Sequence, residues 1–83
     1  METFDHRTAK ALRCRATTLG IRTTNLTRIA VALRAFDAAR VAIERSGRRV
    51  VRSKGDYSLF FVGNATLNWY EIVQYAQNLD AEK

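Results

Sequence analysis

Two short runs of β-branched and aromatic residues dominate the second half of this chain, Arg48-Arg49-Val50-Val51-Arg52-Ser53 and Tyr57-Ser58-Leu59-Phe60-Phe61-Val62. Only Lys54-Gly55-Asp56 separates them. A connection that short forces the chain to reverse, so 48–62 reads as a β-hairpin, with Gly55 supplying the positive φ of the turn. With Gly55-Asp56 as the central pair, Val51 faces Phe60 and Val50 faces Phe61. Cross-strand pairs of this kind contribute about 0.2–1 kcal/mol each. Leu59, Phe60, Phe61 and Val62 are consecutive, which predicts an inner strand covered on both faces.

A hairpin is marginal on its own and needs a layer to bury its apolar face. The next segment supplies one. Asn68 is placed to cap a helix, Glu71 follows three residues later as in a capping box, and Leu67 and Ile72 occupy the staple positions. Trp69, Ile72, Val73, Ala76 and Leu79 recur at helical spacing, which predicts a C-terminal helix over 68–79 packed on the sheet. The tail after Leu79 is expected to fray. Between hairpin and helix, Gly63-Asn64-Ala65-Thr66 reads as a strand-to-helix turn.

The middle of the chain admits two readings. Residues 26–45 form one long helix if Leu26, Ile29, Leu33 and Phe36 share a face, but Asp37, Arg40 and Glu44 then run into that face and Val31 lies opposite. Alternatively, Arg28-Ile29-Ala30-Val31-Ala32-Leu33-Arg34 alternates as a strand. Asp37 then caps a short helix, with Phe36 and Val41 as its staple and Gly47 closing it. The split is favoured because it accounts for Val31, Asp37 and Arg40 together, although Ala30 and Ala32 are poor strand formers. Ile29-Ala30-Val31-Ala32-Leu33-Arg34-Ala35-Phe36-Asp37 also resembles the strand-to-helix stretch near the start of the S ten family of small-subunit ribosomal proteins. The resemblance covers nine residues and implies only a strand followed by a helix there.

At the other end, Asp5 to Thr18 reads as a helix with Ala9, Leu12, Ala16 and Leu19 on one face. The alternation of Leu12, Cys14 and Ala16 with Arg13 and Arg15 leaves a strand open. The reading that unites these segments is a single basic α+β domain spanning 1–83. It has a small antiparallel sheet, including the 48–62 hairpin, packed by two or three helices. The expected core is Ile29, Val31, Leu33, Phe36, Val41, Val50, Leu59, Phe61, Trp69, Ile72 and Val73.

Eighty-three residues allow one domain with a modest core. No apolar run approaches the roughly 18 residues of a membrane span. Met1-Glu2-Thr3-Phe4-Asp5 lacks the features of a signal peptide, so a cytoplasmic protein without a membrane partner is expected. The lone Cys14 excludes an internal disulfide and reads as a small, semi-buried hydrophobe. With His6 the only imidazole, no four-ligand zinc site assembles from one chain, and no metal or other cofactor is expected. A hydrolytic triad lacks a plausible base, and neither a Walker-type loop nor a dinucleotide fingerprint is present. The expectation is a non-enzymatic binding protein.

Charge is the strongest functional signal. Eleven Arg stand against three Lys, and the formal net charge is +6. Between Arg7 and Lys54 there are thirteen basic residues and only Asp37 and Glu44 as acids, while the segments on either side are acidic on balance. Such asymmetry points to an anionic partner, although charge also serves solubility. Arg7, Lys10 and Arg13 on the first helix, with Arg48, Arg49, Arg52 and Lys54 on the hairpin, are the candidate contacts, since the arginine fork matches phosphate oxygens. A helix followed by a basic hairpin is also the layout of a winged helix-turn-helix, with Ala38–Arg45 as reader and the hairpin as wing. Tyr57, Tyr70 and Tyr75 are aromatic candidates for base stacking that more commonly flank a core. DNA or RNA binding is the first expectation. The second is a protein–protein interaction module, an inhibitor or adaptor of the kind phages direct at host machinery, docking on an acidic or nucleic-acid-binding surface. Self-association into a homodimer is left open.

Overall fold

The chain folds as an α+β domain, seen in a computed structural model that describes residues 4–81, the side chains of 80 and 81 excepted. Its elements in order are α1 (His6–Leu19), α2 (Leu26–Arg45), β1 (Val50–Arg52), β2 (Phe60–Val62), β3 (Ala65–Leu67) and α3 (Trp69–Ala81). The strands form one antiparallel sheet in the order β1-β2-β3.

Helix α1 starts where Asp5 accepts a hydrogen bond from the Thr8 amide at 2.7 Å, satisfying a donor that the first turn leaves without a partner. That backbone bond, helped by the Thr8 hydroxyl, holds the Asp5 carboxyl below its ordinary range. Ala9, Ala16 and Leu19 are buried and Leu12 is half-buried, the face expected from the spacing. Cys14, expected to be semi-buried, is exposed on the opposite side of that helix.

The favoured split of the middle segment is overturned, and with it the strand implied by the ribosomal-protein resemblance. Residues 26–45 form one helix, capped by the Asn25 side chain accepting from the Arg28 amide at 3.1 Å. The buried stripe is Ile29, Ala30, Leu33, Phe36, Ala39 and Ile43. Its small residues at 30 and 39 leave room for neighbours to approach, and its alanines favour helix over strand. The charges that argued against a helix are paired on its flank. Asp37 is no cap; it binds Arg15 of α1 at 2.9 Å, and Arg40 binds Glu44 one turn on at 3.0 Å. Val31 and Val41, expected in the core, are 59% and 48% exposed.

The hairpin exists, but its strands are shorter and its register differs by one residue. Val50 pairs with Val62, Val51 with Phe61 and Arg52 with Phe60, leaving residues 53–59 as the connection. Gly55 has no positive φ and is not a tight-turn glycine. Asp56 organises the connection instead, accepting from the Ser58 hydroxyl at 2.6 Å and the Ser58 amide at 2.9 Å. The tight turn lies further on. Val62 pairs with Ala65 across Gly63-Asn64, and Gly63 has φ +60° while Asn64 does not enter that region, the arrangement of a II′ turn. The segment expected to lead straight into a helix therefore first adds β3.

As the central strand β2 is inner, yet only one of its faces is covered. Phe60 and Val62 are buried, whereas Phe61, expected in the core, is 43% exposed. The inner face meets α2, with the rings of Phe36 and Phe60 5.2 Å apart. Helix α3 carries the expected capping box: Asn68 Oδ1 accepts from the Glu71 amide at 2.9 Å, and Glu71 Oε1 accepts from the Asn68 amide at 3.1 Å. Ile72 and Ala76 are buried, with Trp69, Val73 and Leu79 partly so. The helix lies mainly along α2 and only lightly against β3, not flat on the sheet. It continues through Ala81, and the rest of the tail expected to fray lies outside the described residues.

Candidate binding surface

Three adjoining hollows run across α1, α2 and β1, and basic side chains dominate their walls. The first, about 480 Å³, lies along α1 and is lined by His6, Lys10, Arg13, Cys14, Thr17 and Thr18. The second, about 270 Å³, is bounded by Cys14, Arg15, Thr18 and Leu19 of α1, Phe36, Asp37 and Arg40 of α2, and Arg52 of β1. The third, about 310 Å³, follows the free edge of β1 from Arg40 and Glu44 through Gly47, Arg48 and Arg49 to Val50 and Val51. Cys14 and Thr18 belong to both the first and the second, and Arg40 to both the second and the third. The hollows thus form one track, with seven basic side chains on it against the two acids Asp37 and Glu44.

Helical periodicity explains the first part. Lys10, Cys14, Thr17 and Thr18 recur every three or four residues, and Arg13 adjoins them. Thr17 and Thr18 donate their hydroxyls to the carbonyls of Arg13 and Cys14 one turn back, at 2.9 and 3.0 Å, which keeps those short side chains close to the helix. His6 and Cys14 share this hollow but stand about 12 Å apart along the helix axis, too far for a direct hydrogen bond.

The hollows differ in how their cations are held. Lys10, Arg13, Arg49 and Arg52 make no ion pair among the described residues. Arg15 is engaged by Asp37, and Arg40 uses Nε for Glu44. Both pairs are about half exposed, so each contributes at most about 1 kcal/mol and yields readily to a competing anion. The Arg52 guanidinium lies 5.2 Å over the Phe60 ring, and that of Arg48 lies 5.9 Å over Tyr75 of α3. These contacts hold the charged forks against apolar surface.

Of the candidate contacts, Lys10 and Arg13 share the first hollow, Arg52 enters the second, and Arg48 and Arg49 line the third. Arg7 and Lys54 are exposed but line none of the three. Arg15 and Arg40, absent from the expected set, occupy the middle. Arg40 was legible through its i,i+4 spacing to Glu44 on a long helix. Nothing local marked Arg15, whose position depends on how α1 crosses α2. The hairpin is not a free wing either, since Val50, Phe60 and Val62 belong to the core.

A further groove, about 370 Å³ and largely apolar, lies between α2 and α3 and is lined by Thr27, Arg28, Val31, Ala32, Ala35, Trp69, Tyr70 and Val73. Val31 and Arg40 are nine residues apart, half a turn out of phase, so this groove and the basic track occupy opposite flanks of α2. Tyr70 is exposed there, edge-on to Trp69 at 5.7 Å, whereas Tyr75 is half-buried beneath Arg48.

No helix among the described residues is long and apolar enough to cross a membrane, and no group of three or more His, Cys, Asp or Glu is placed to hold a metal ion. Among known proteins, no family model, curated protein or solved structure matches this chain.

Proposed function

We propose that this protein binds nucleic acid, holding a phosphate backbone along the basic track from Lys10 and Arg13, past Arg15, Arg40 and Arg52, to Arg48 and Arg49. The observation that carries the reading is the continuity of the three hollows. Cations from three separate elements meet through shared walls, so a linear polyanion can touch them in succession. A compact anion would occupy one hollow and leave the others without a role. Arginine predominates, which suits recognition of phosphate oxygens by a planar fork.

The test is affinity for labelled oligonucleotides as a function of salt, in the wild type and in two variants of equal charge. Arg13→Ala/Arg40→Ala/Arg49→Ala removes one cation from each hollow. Arg22→Ala/Arg28→Ala/Arg45→Ala removes three that line none of them. The wild type should lose affinity linearly in log salt, and the first variant should reduce that slope by about 2–3, with little change from the second. Equal losses in both variants would reduce the track to net charge. A flat salt response, or no retention on oligonucleotides, would favour an acidic protein surface as the partner.

A further inference from the structure

Phe61 is an apolar side chain that the core does not use, and it sits where the basic track ends. It occupies the middle of the central strand, on the face turned away from the helices. Its neighbours across the ladder are Val51 on one side and Thr66 on the other. All three are exposed, Val51 by 48% and Phe61 by 43%. An aromatic ring flanked by two β-branched residues on an open sheet is a flat platform. Residues directly opposite in a ladder stand about 5 Å apart, so the three side chains form one continuous row.

This platform is joined to the track. Val51 lines the third hollow together with Arg48 and Arg49, and it is also the direct cross-strand partner of Phe61. The Val51 and Phe61 backbones are therefore one strand spacing apart, about 4.8 Å, and Arg49 precedes Val51 by two residues. A chain of phosphates that runs along the edge of β1 past Arg49 has its bases within reach of the sheet. In a duplex those bases are stacked on one another and their faces are closed. In a single strand each can turn out and lay its π-face on an aromatic side chain, whatever its identity.

We infer that the nucleic acid on the basic track is single-stranded and that Phe61 stacks one of its bases beyond Val51, next to the phosphate held by Arg49. The inference rests on the nucleic-acid reading above and adds the strand state, the stacking residue and indifference to sequence. Stacking of this kind is lost on substitution by alanine with a penalty of about 5- to 150-fold in affinity per base.

The experiment compares three probes of equal length and charge: an oligothymidylate, the same strand with abasic sites throughout, and a duplex. Each is titrated at matched salt against the wild type, Phe61→Ala and Phe61→Trp. Melting curves confirm that the variants fold, as expected for an outward residue. The wild type should prefer the oligothymidylate to the duplex. Phe61→Ala should weaken oligothymidylate binding by about 5- to 150-fold, leave the abasic strand and the salt slope unchanged, and be rescued by Phe61→Trp. A preference for duplex, or a Phe61→Ala effect that is absent or equal on base-bearing and abasic strands, overturns this inference while the proposed function stands. If none of the three probes binds in a salt-dependent way, both fall together.

Discussion

The ring of Phe36 on α2 lies 5.2 Å from the ring of Phe60 on β2, inclined at 45°, and both side chains are almost fully buried. This contact joins the helical layer to the sheet. It also sets the floor of the middle hollow, because Phe36 lines that hollow and Arg52 lies over the Phe60 ring. Packing and the candidate surface meet at one pair. Phe36→Ala and Phe60→Ala should each cost about 3–5 kcal/mol in urea unfolding. A double-mutant cycle should leave a coupling of about 0.5–1.5 kcal/mol. Additive losses would show that the two rings stabilise the fold independently.

Cys14 offers a direct footprint of the track. It is the only cysteine, it is exposed, and it lines both the first and the second hollow. Alkylation by a maleimide in low salt should slow markedly when a saturating oligonucleotide is present, and recover as salt releases it. An alkylation rate indifferent to bound oligonucleotide would place the ligand elsewhere.

The two glycines of the sheet should respond in opposite ways. Gly63→Ala puts a side chain at φ +60° and should cost about 1 kcal/mol. Gly55 has no positive φ, and an added Cβ would meet nothing within 4 Å. Gly55→Ala should be neutral or stabilise by up to about 1 kcal/mol through the unfolded chain. Thermal melts that ranked the variants the other way would return the tight turn to 55–56.

Asp56 predicts a pH dependence confined to the β1–β2 connection. Its carboxyl titrates below the ordinary range because the Ser58 hydroxyl and then the Ser58 amide donate to it. With the folded value below the unfolded one, the stabilisation is present above about pH 3.9 and is lost as the pH falls through the lower folded value. Ser58 lies close to Gly20 at the end of α1, so the loss loosens the connection against the helix. The Ser58 amide resonance should titrate with a midpoint below about 3.9, and Asp56→Asn should abolish that titration. A midpoint at or above the ordinary value would mean that these bonds do not favour the charged form.

The capping box at α3 should also be measurable. Asn68→Ala leaves the Glu71 amide without its acceptor and should cost about 1 kcal/mol. No loss in a urea melt would mean that water replaces the cap. This pair was readable from residue types alone, because a cap and its partner lie three residues apart and depend on nothing distant. Asp5 and Thr8 at the start of α1 have the same spacing, but the alternation over 12–16 leaves a strand open there and no cap is read from the sequence.

Position 61 shows where such reading stops. Four consecutive apolar residues identify a strand but do not say which faces are covered, and a shift of one residue in register changes every cross-strand pair. The hairpin was expected with Val50 opposite Phe61; the longer connection held by Asp56 and Ser58 makes Val51 the partner of Phe61 instead. Phe61 thereby moves from an expected core residue to the centre of an open face.

By itself the sequence determined the α+β class, the C-terminal helix with its capping box, the presence of a hairpin, and a cationic body bounded by acidic ends. These depend on local chemistry: side chains reaching backbone donors a few residues away, apolar spacing, and composition. Tertiary structure alone decided that 26–45 is a single helix. There Ala39 and Ile43 join the buried core, while Asp37 finds Arg15 of α1. It also decided that Arg15 and Arg40 stand between the expected arginines, and that Arg7 and Lys54 do not line the track. The angle at which α1 crosses α2 and the folding of β1 back onto α2 bring those charges together, and both follow from packing between residues far apart in the chain.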